Sequence, residues 1–119
     1  MKRASITVVF AAATLLSGSA AAQTTALTHA KAAQEAEPNN PEVADTLGWI
    51  YFRTQDYIKA VGLLKESAEK IPDNPAIRYH LGMACYKKGD LQCATEALQQ
   101  ALHLSRDFPE AEEAKQTLA

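Results

Sequence analysis

The chain has 119 residues, 47% of them apolar and 22% charged, with aromatics at only 7% and a formal net charge of −2. That length holds one domain, and a domain so small leaves little room for an enclosed active site. Basic residues form no block, so the phosphate neutralisation that nucleic-acid binding demands has no source.

The chain opens on Lys2 and Arg3, followed by an apolar run from Ile6 to Leu16. Ser17, Gly18 and Ser19 interrupt it, and Ala20, Ala21 and Ala22 then supply small residues ahead of Gln23. A positive start, a short apolar run and an A-x-A site read as a secretory signal over residues 1–22. The run is too short for a membrane anchor, which needs about 20 apolar residues. No Cys adjoins the cleavage point, and no N-x-S/T sequon is present. The expectation is a bacterial protein, periplasmic or secreted, with no stable membrane anchor after cleavage. Without Lys2 and Arg3, ten basic residues face fourteen acidic ones, a mildly acidic surface.

Beyond the leader, Pro41, Pro75 and Pro109 recur every 34 residues. Overlaying 41–74 on 75–108 gives seven identities: Pro41/Pro75, Leu47/Leu81, Gly48/Gly82, Asp56/Asp90, Ala60/Ala94, Leu64/Leu98 and Asp73/Asp107. Each segment reads as two helices. Pro41 and Pro75 suit a first helical turn, with Asn40 and Asp73-Asn74 as cap candidates. The first helix spans about 41–54 and the second 57–70, which stops before Pro72; the copies span 75–88 and 91–104 around a Gly89-Asp90 turn. A glycine in mid-helix costs about 1 kcal/mol, so Gly48 and Gly82 imply a close approach by another helix.

This pattern resembles the tetratricopeptide repeat, a 34-residue helix–turn–helix unit with a W-x₂-L-G-x₂-Y…A-x₃-F…P signature. Leu47-Gly48-x₂-Tyr51, Ala60-x₃-Leu64 and Pro72 fill most of it; Leu81-Gly82-x₂-Cys85, Ala94-x₃-Leu98 and Ala101 fill it again. Ala44 and Arg78 stand at the Trp position, Cys85 at the Tyr and Arg106 at the closing Pro. Ala26, Ala30, Ala33 and Pro38 keep the spacing of a second helix from an earlier unit, giving a leading helix over 24–36. Residues 109–118 begin a further unit as a capping helix with Glu110, Glu112 and Glu113 on its polar face. The resemblance implies an all-α fold over residues 23–119, a short right-handed helical-repeat solenoid of antiparallel helix pairs.

In that family the first helices of successive units line a concave groove for an extended peptide or partner helix. The groove residues would be Glu42, Asp45, Trp49, Phe52 and Arg53 from one unit and Ala76, Tyr79, Met83, Tyr86 and Lys87 from the next. Chaperone-binding members clamp a terminal carboxylate with basic and Asn side chains; Asp45, Trp49, Tyr79 and Met83 occupy those places here. Aromatic anchors with an acidic rim prefer an apolar segment that carries positive charge. The alternative is that Trp49, Tyr79 and Met83 pack on one another for stability alone. The leading helix, with an apolar edge at Leu27 and Ala30, offers a surface for a homodimer.

Cys85 and Cys93 flank the Gly89-Asp90 turn on antiparallel helices. They are either a disulfide formed in an oxidising compartment or two thiols that fill a gap. No C-x-x-C is present, and His29, His80 and His103 lie on three helices at no metal-ligand spacing. No nucleophile–base order or phosphate loop stands out. The expectation is a non-catalytic protein–protein interaction adaptor of the bacterial envelope, without cofactor or metal. The stretch from Asp45 to Arg53 is similar to terminal repeats of envelope proteins tied to exopolysaccharide export. The rival is a structural, self-associating repeat fragment with no dedicated ligand.

Overall fold

The computed structural model describes residues 20–119, so most of the expected leader lies outside the described residues. Within them six α-helices follow one another: α1 (Ala20–Ala36), α2 (Pro41–Arg53), α3 (Tyr57–Lys70), α4 (Pro75–Lys88), α5 (Leu91–Leu104) and α6 (Ala111–Leu118). The described residues contain no strand. α1 runs through the expected cleavage point between Ala22 and Gln23.

Helix ends are set by local chemistry that repeats every 34 residues. Asn40 Oδ1 accepts from the backbone N–H of Glu42 (2.9 Å) and Val43 (3.4 Å). Asn74 Oδ1 does the same for Ala76 (2.9 Å) and Ile77 (3.2 Å), so Asn74 rather than Asp73 is the cap. A proline follows each Asn at the first helical position, where its missing N–H costs nothing. Asp56 and Asp90 cap α3 and α5 through the N–H groups of Lys59 (3.3 Å) and Cys93 (3.1 Å). Each cap is worth about 1 kcal/mol.

The α2–α3 and α4–α5 turns are also built alike. Asp56 N–H donates to Tyr51 O (2.9 Å) while Gln55 N–H donates to Phe52 O (3.1 Å). One repeat later, Asp90 N–H reaches Cys85 O (2.9 Å) and Gly89 N–H reaches Tyr86 O (3.1 Å). This paired closure needs a left-handed residue at its corner. Gly89 supplies it at φ 95°; Gln55 supplies it at φ 69° and bears the Cβ strain that glycine avoids.

Packing follows from the same register. A Cβ at Gly48 would fall 2.8 Å from Leu64 Cγ, and one at Gly82 only 2.6 Å from Leu98 Cγ. Both leucines are fully buried, so the glycines are where α3 and α5 press onto α2 and α4. Buried Ser67 donates its hydroxyl to Pro41 O (2.7 Å), fastening the end of α3 to the start of α2. At the Trp position of the second unit, Arg78 turns outward and donates from Nε to Pro72 O (3.3 Å). Cys85 and Cys93 are joined by a disulfide across the α4–α5 hairpin, with Cα atoms 5.8 Å apart.

Each helix packs chiefly on its neighbours in the chain, with one further contact between α2 and α4. The radius of gyration is 16.0 Å, against about 13 Å for a compact domain of 100 residues. The molecule is a helical-repeat solenoid. Its core falls into two clusters, one centred on Leu47, Leu64, Leu81 and Cys85, the other on Tyr79, Leu98, Phe108 and Ala114.

Candidate functional site

The expected groove residues sit on α2 and α4, the first helices of the two full units. On α2, Glu42 and Arg53 are exposed, while Asp45, Trp49 and Phe52 are half-buried. On α4, Ala76 is half-buried, Tyr79 and Met83 are only 2% and 6% exposed, and Tyr86 and Lys87 face solvent. The ten residues therefore separate into a packed centre and an open margin.

The centre is an aromatic stack. Trp49 lies flat on Phe52, with centroids 4.3 Å apart and planes 4° apart, and also stacks on the His80 ring at 4.2 Å. Phe52 continues the series to Tyr57 at 5.8 Å. Tyr79 tilts against Trp49 at 6.0 Å and against Phe108 at 6.1 Å. Such pairs each add about 0.5–1.5 kcal/mol beyond the area they bury. His80 Nδ1 and Asp45 Oδ1 are hydrogen-bonded at 2.8 Å, which ties α4 to α2 on this face.

The capping helix α6 and the loop before it close over the α4 half. Phe108 and Ala114 share a cluster with Tyr79 and Met83, and Thr117 Oγ1 lies 3.6 Å from Met83 Sδ. Burial lifts the Tyr79 phenol well above its ordinary value, and the nearby Glu113 and Glu110 carboxylates push it the same way. Glu110 Oε2 is itself buried without a hydrogen-bond partner.

His80, Phe108 and Glu113 were not singled out from the sequence as parts of this site. His80 follows Asp45 by 35 residues, one more than the repeat period. Phe108 lies in the linker before Pro109, outside any helical pattern. Tyr86, Lys87, Glu42 and Arg53 make no ring contact or ion pair with the central residues among those described.

The face has the means to hold a side chain against a ring and to attract a cation. It has no assembled nucleophile. Among the described residues no group of three His, Cys, Asp or Glu side chains is placed to hold a metal, and no helix is long and apolar enough to cross a membrane.

Fold and repeat chemistry define a class, the helical-repeat solenoids of paired antiparallel helices. The family model for the anaphase-promoting complex, cyclosome, subunit 3, matches residues 19–101, and the chain belongs to this tetratricopeptide-type repeat family. No curated protein matches the chain. Repeats of this type are generally non-catalytic and serve protein–protein interaction.

Proposed function

We propose that the protein is an adaptor of the bacterial envelope whose concave face captures an apolar peptide or helix carrying positive charge. The observation that carries this reading is the half-buried Trp49–Phe52 stack, with Glu42 and Asp45 on the same helix at its margin. Rings already stacked lose little freedom when a ligand covers them. The leader over 1–22 supports export to the periplasm, where a thiol pair such as Cys85 and Cys93 oxidises.

A panel of short synthetic peptides, apolar-basic against apolar-acidic, tests the groove by fluorescence polarisation. The basic members bind more tightly, and Trp49→Ala abolishes that binding while leaving helicity unchanged. Equal affinity for both sets, or a Trp49→Ala variant that unfolds, refutes the groove reading. Burial of Tyr79 and Met83 under α6 favours the structural alternative for that half of the face. Self-association through α1 is the further part of that alternative; sedimentation showing a strict monomer at micromolar concentration rejects it.

A further inference from the structure

At the margin of the concave face, the α2–α3 and α4–α5 turns carry charge of a different sign from the molecule as a whole. Arg53, Lys59, Lys87 and Lys88 flank these turns in the chain. The turns' two acidic residues, Asp56 and Asp90, are occupied as helix caps, and Asp56 also pairs with Lys59 at 3.6 Å. Lys87 and Lys88 make no ion pair among the described residues. An otherwise acidic molecule thus carries a locally basic edge.

The same edge exposes large apolar side chains. Ile58 is 74% exposed and Leu91 62%, each in the first turn of an amphipathic helix that buries most of its other apolar residues. A recess of about 450 Å³ opens between the two turns, lined by Gln55, Asp56, Tyr57, Ile58, Lys87 and Lys88. One wall is apolar and the other cationic.

We propose that this recess, which adjoins the open margin of the concave face at Tyr57 and Lys87, is a second binding site for an acidic peptide segment that presents an apolar side chain. The side chain lies against Ile58 and Tyr57, and flanking carboxylates pair with Lys87 and Lys88. Charge complementarity selects the occupant: unpaired lysines attract carboxylates, and the one acid in the lining is already engaged. A recess between two hairpins accepts a chain laid across it. A flat bilayer would meet two unpaired lysines here, too few for stable adsorption at about 1 kcal/mol per charge.

The test uses a fluorescein-labelled peptide, acetyl-Glu-Leu-Glu-Phe-Glu-amide, and its counterpart with Lys in place of each Glu. Polarisation titrations are run on the parent protein, on Lys87→Glu/Lys88→Glu, on Ile58→Ser and on Trp49→Ala. The altered edge residues are solvent-facing, so the edge variants stay folded; Ile58→Ser melts near the parent value, and Lys87→Glu/Lys88→Glu somewhat lower because it loses the favourable charge at the end of α4. The parent binds the acidic peptide and not the lysine peptide. Charge reversal weakens binding by about tenfold or more, Ile58→Ser by about threefold, and Trp49→Ala has no effect. The proposal fails if the acidic peptide does not bind, if charge reversal leaves its affinity unchanged, or if Trp49→Ala removes it. It also fails if vesicles of anionic phospholipid bind the edge while the peptide does not. Because Trp49 and the edge lysines are varied separately, loss of the groove reading and loss of this one give different results.

Discussion

Replacing Gly82 with Ala probes the contact on which the second repeat is built. The new methyl would lie 2.6 Å from Leu98 Cγ, 2.7 Å from Cδ2 and 3.2 Å from the Leu98 backbone nitrogen. Leu98 is buried, so its side chain has nowhere to swing, and the backbone nitrogen prevents the helix from tilting aside. Glycine-to-alanine in a helix gains about 1 kcal/mol in propensity, while overpacking of this kind costs about 3 kcal/mol at the upper end of its range. The balance is a loss of about 2 kcal/mol, or a fall in Tm of about 8–16 °C for a domain of this size. Gly62 supplies the control, since a Cβ there meets nothing within 4 Å. Gly62→Ala keeps the propensity gain alone and raises Tm by about 4–8 °C. Gly48→Ala falls between them, because its Cβ would meet only side-chain atoms, with Leu64 Cγ at 2.8 Å. Thermal unfolding followed by far-ultraviolet circular dichroism reads all three. A Gly82→Ala protein that melts at or above the parent temperature refutes the reasoning.

Gln55→Gly relieves the left-handed corner of the first turn and stabilises by about 0.5–1 kcal/mol, whereas Gly89→Ala destabilises; chemical denaturation midpoints moving the other way would contradict the strain argument. Reducing the Cys85–Cys93 bond opens a loop of about nine residues and removes about 2.5 kcal/mol on the chain-entropy account, visible as a lower Tm in dithiothreitol; an unchanged Tm excludes that contribution. The raised Tyr79 phenol makes folding sensitive to alkali. Its folded pKa exceeds its unfolded one, so its contribution is whole below about pH 10 and is lost as pH rises beyond it. Ultraviolet titration should therefore show Tyr79 ionising together with unfolding, and Tyr79→Phe should flatten the alkaline loss of stability.

The repeat was legible because its chemistry is local. Asn before Pro, Asp immediately before each second helix, and Leu-Gly in mid-helix are each short-range choices, and a 34-residue period makes them reinforce one another. Helix ends were read closely for the same reason: α3, α4 and α5 occupy the spans expected of them. Which large side chains stay open was not legible. Tyr79 and Trp49 occupy neighbouring places on successive first helices, yet one is buried and the other half-buried. The difference is made by Phe108 and α6, which fold back on α4, and a period states which residues recur without stating how deeply the next unit seats. The Asp45–His80 bond escaped for a related reason. Adjacent helices meet one residue out of step with the repeat, and this offset belongs to their crossing geometry.

A stack in which each helix rests mainly on the one before and the one after divides its stability like links in a line. α1 buries only Ala30, so it is the link that opens first and at little expense to the others. The α4–α5 hairpin is different, since it touches both core clusters and is the only pair among the described residues closed by a covalent bond. Parting it leaves two fragments joined only where Phe108 and α6 seat on Tyr79 and Met83 of α4. Folding should accordingly spread outward from this hairpin, and hydrogen exchange should slow from α1 toward it.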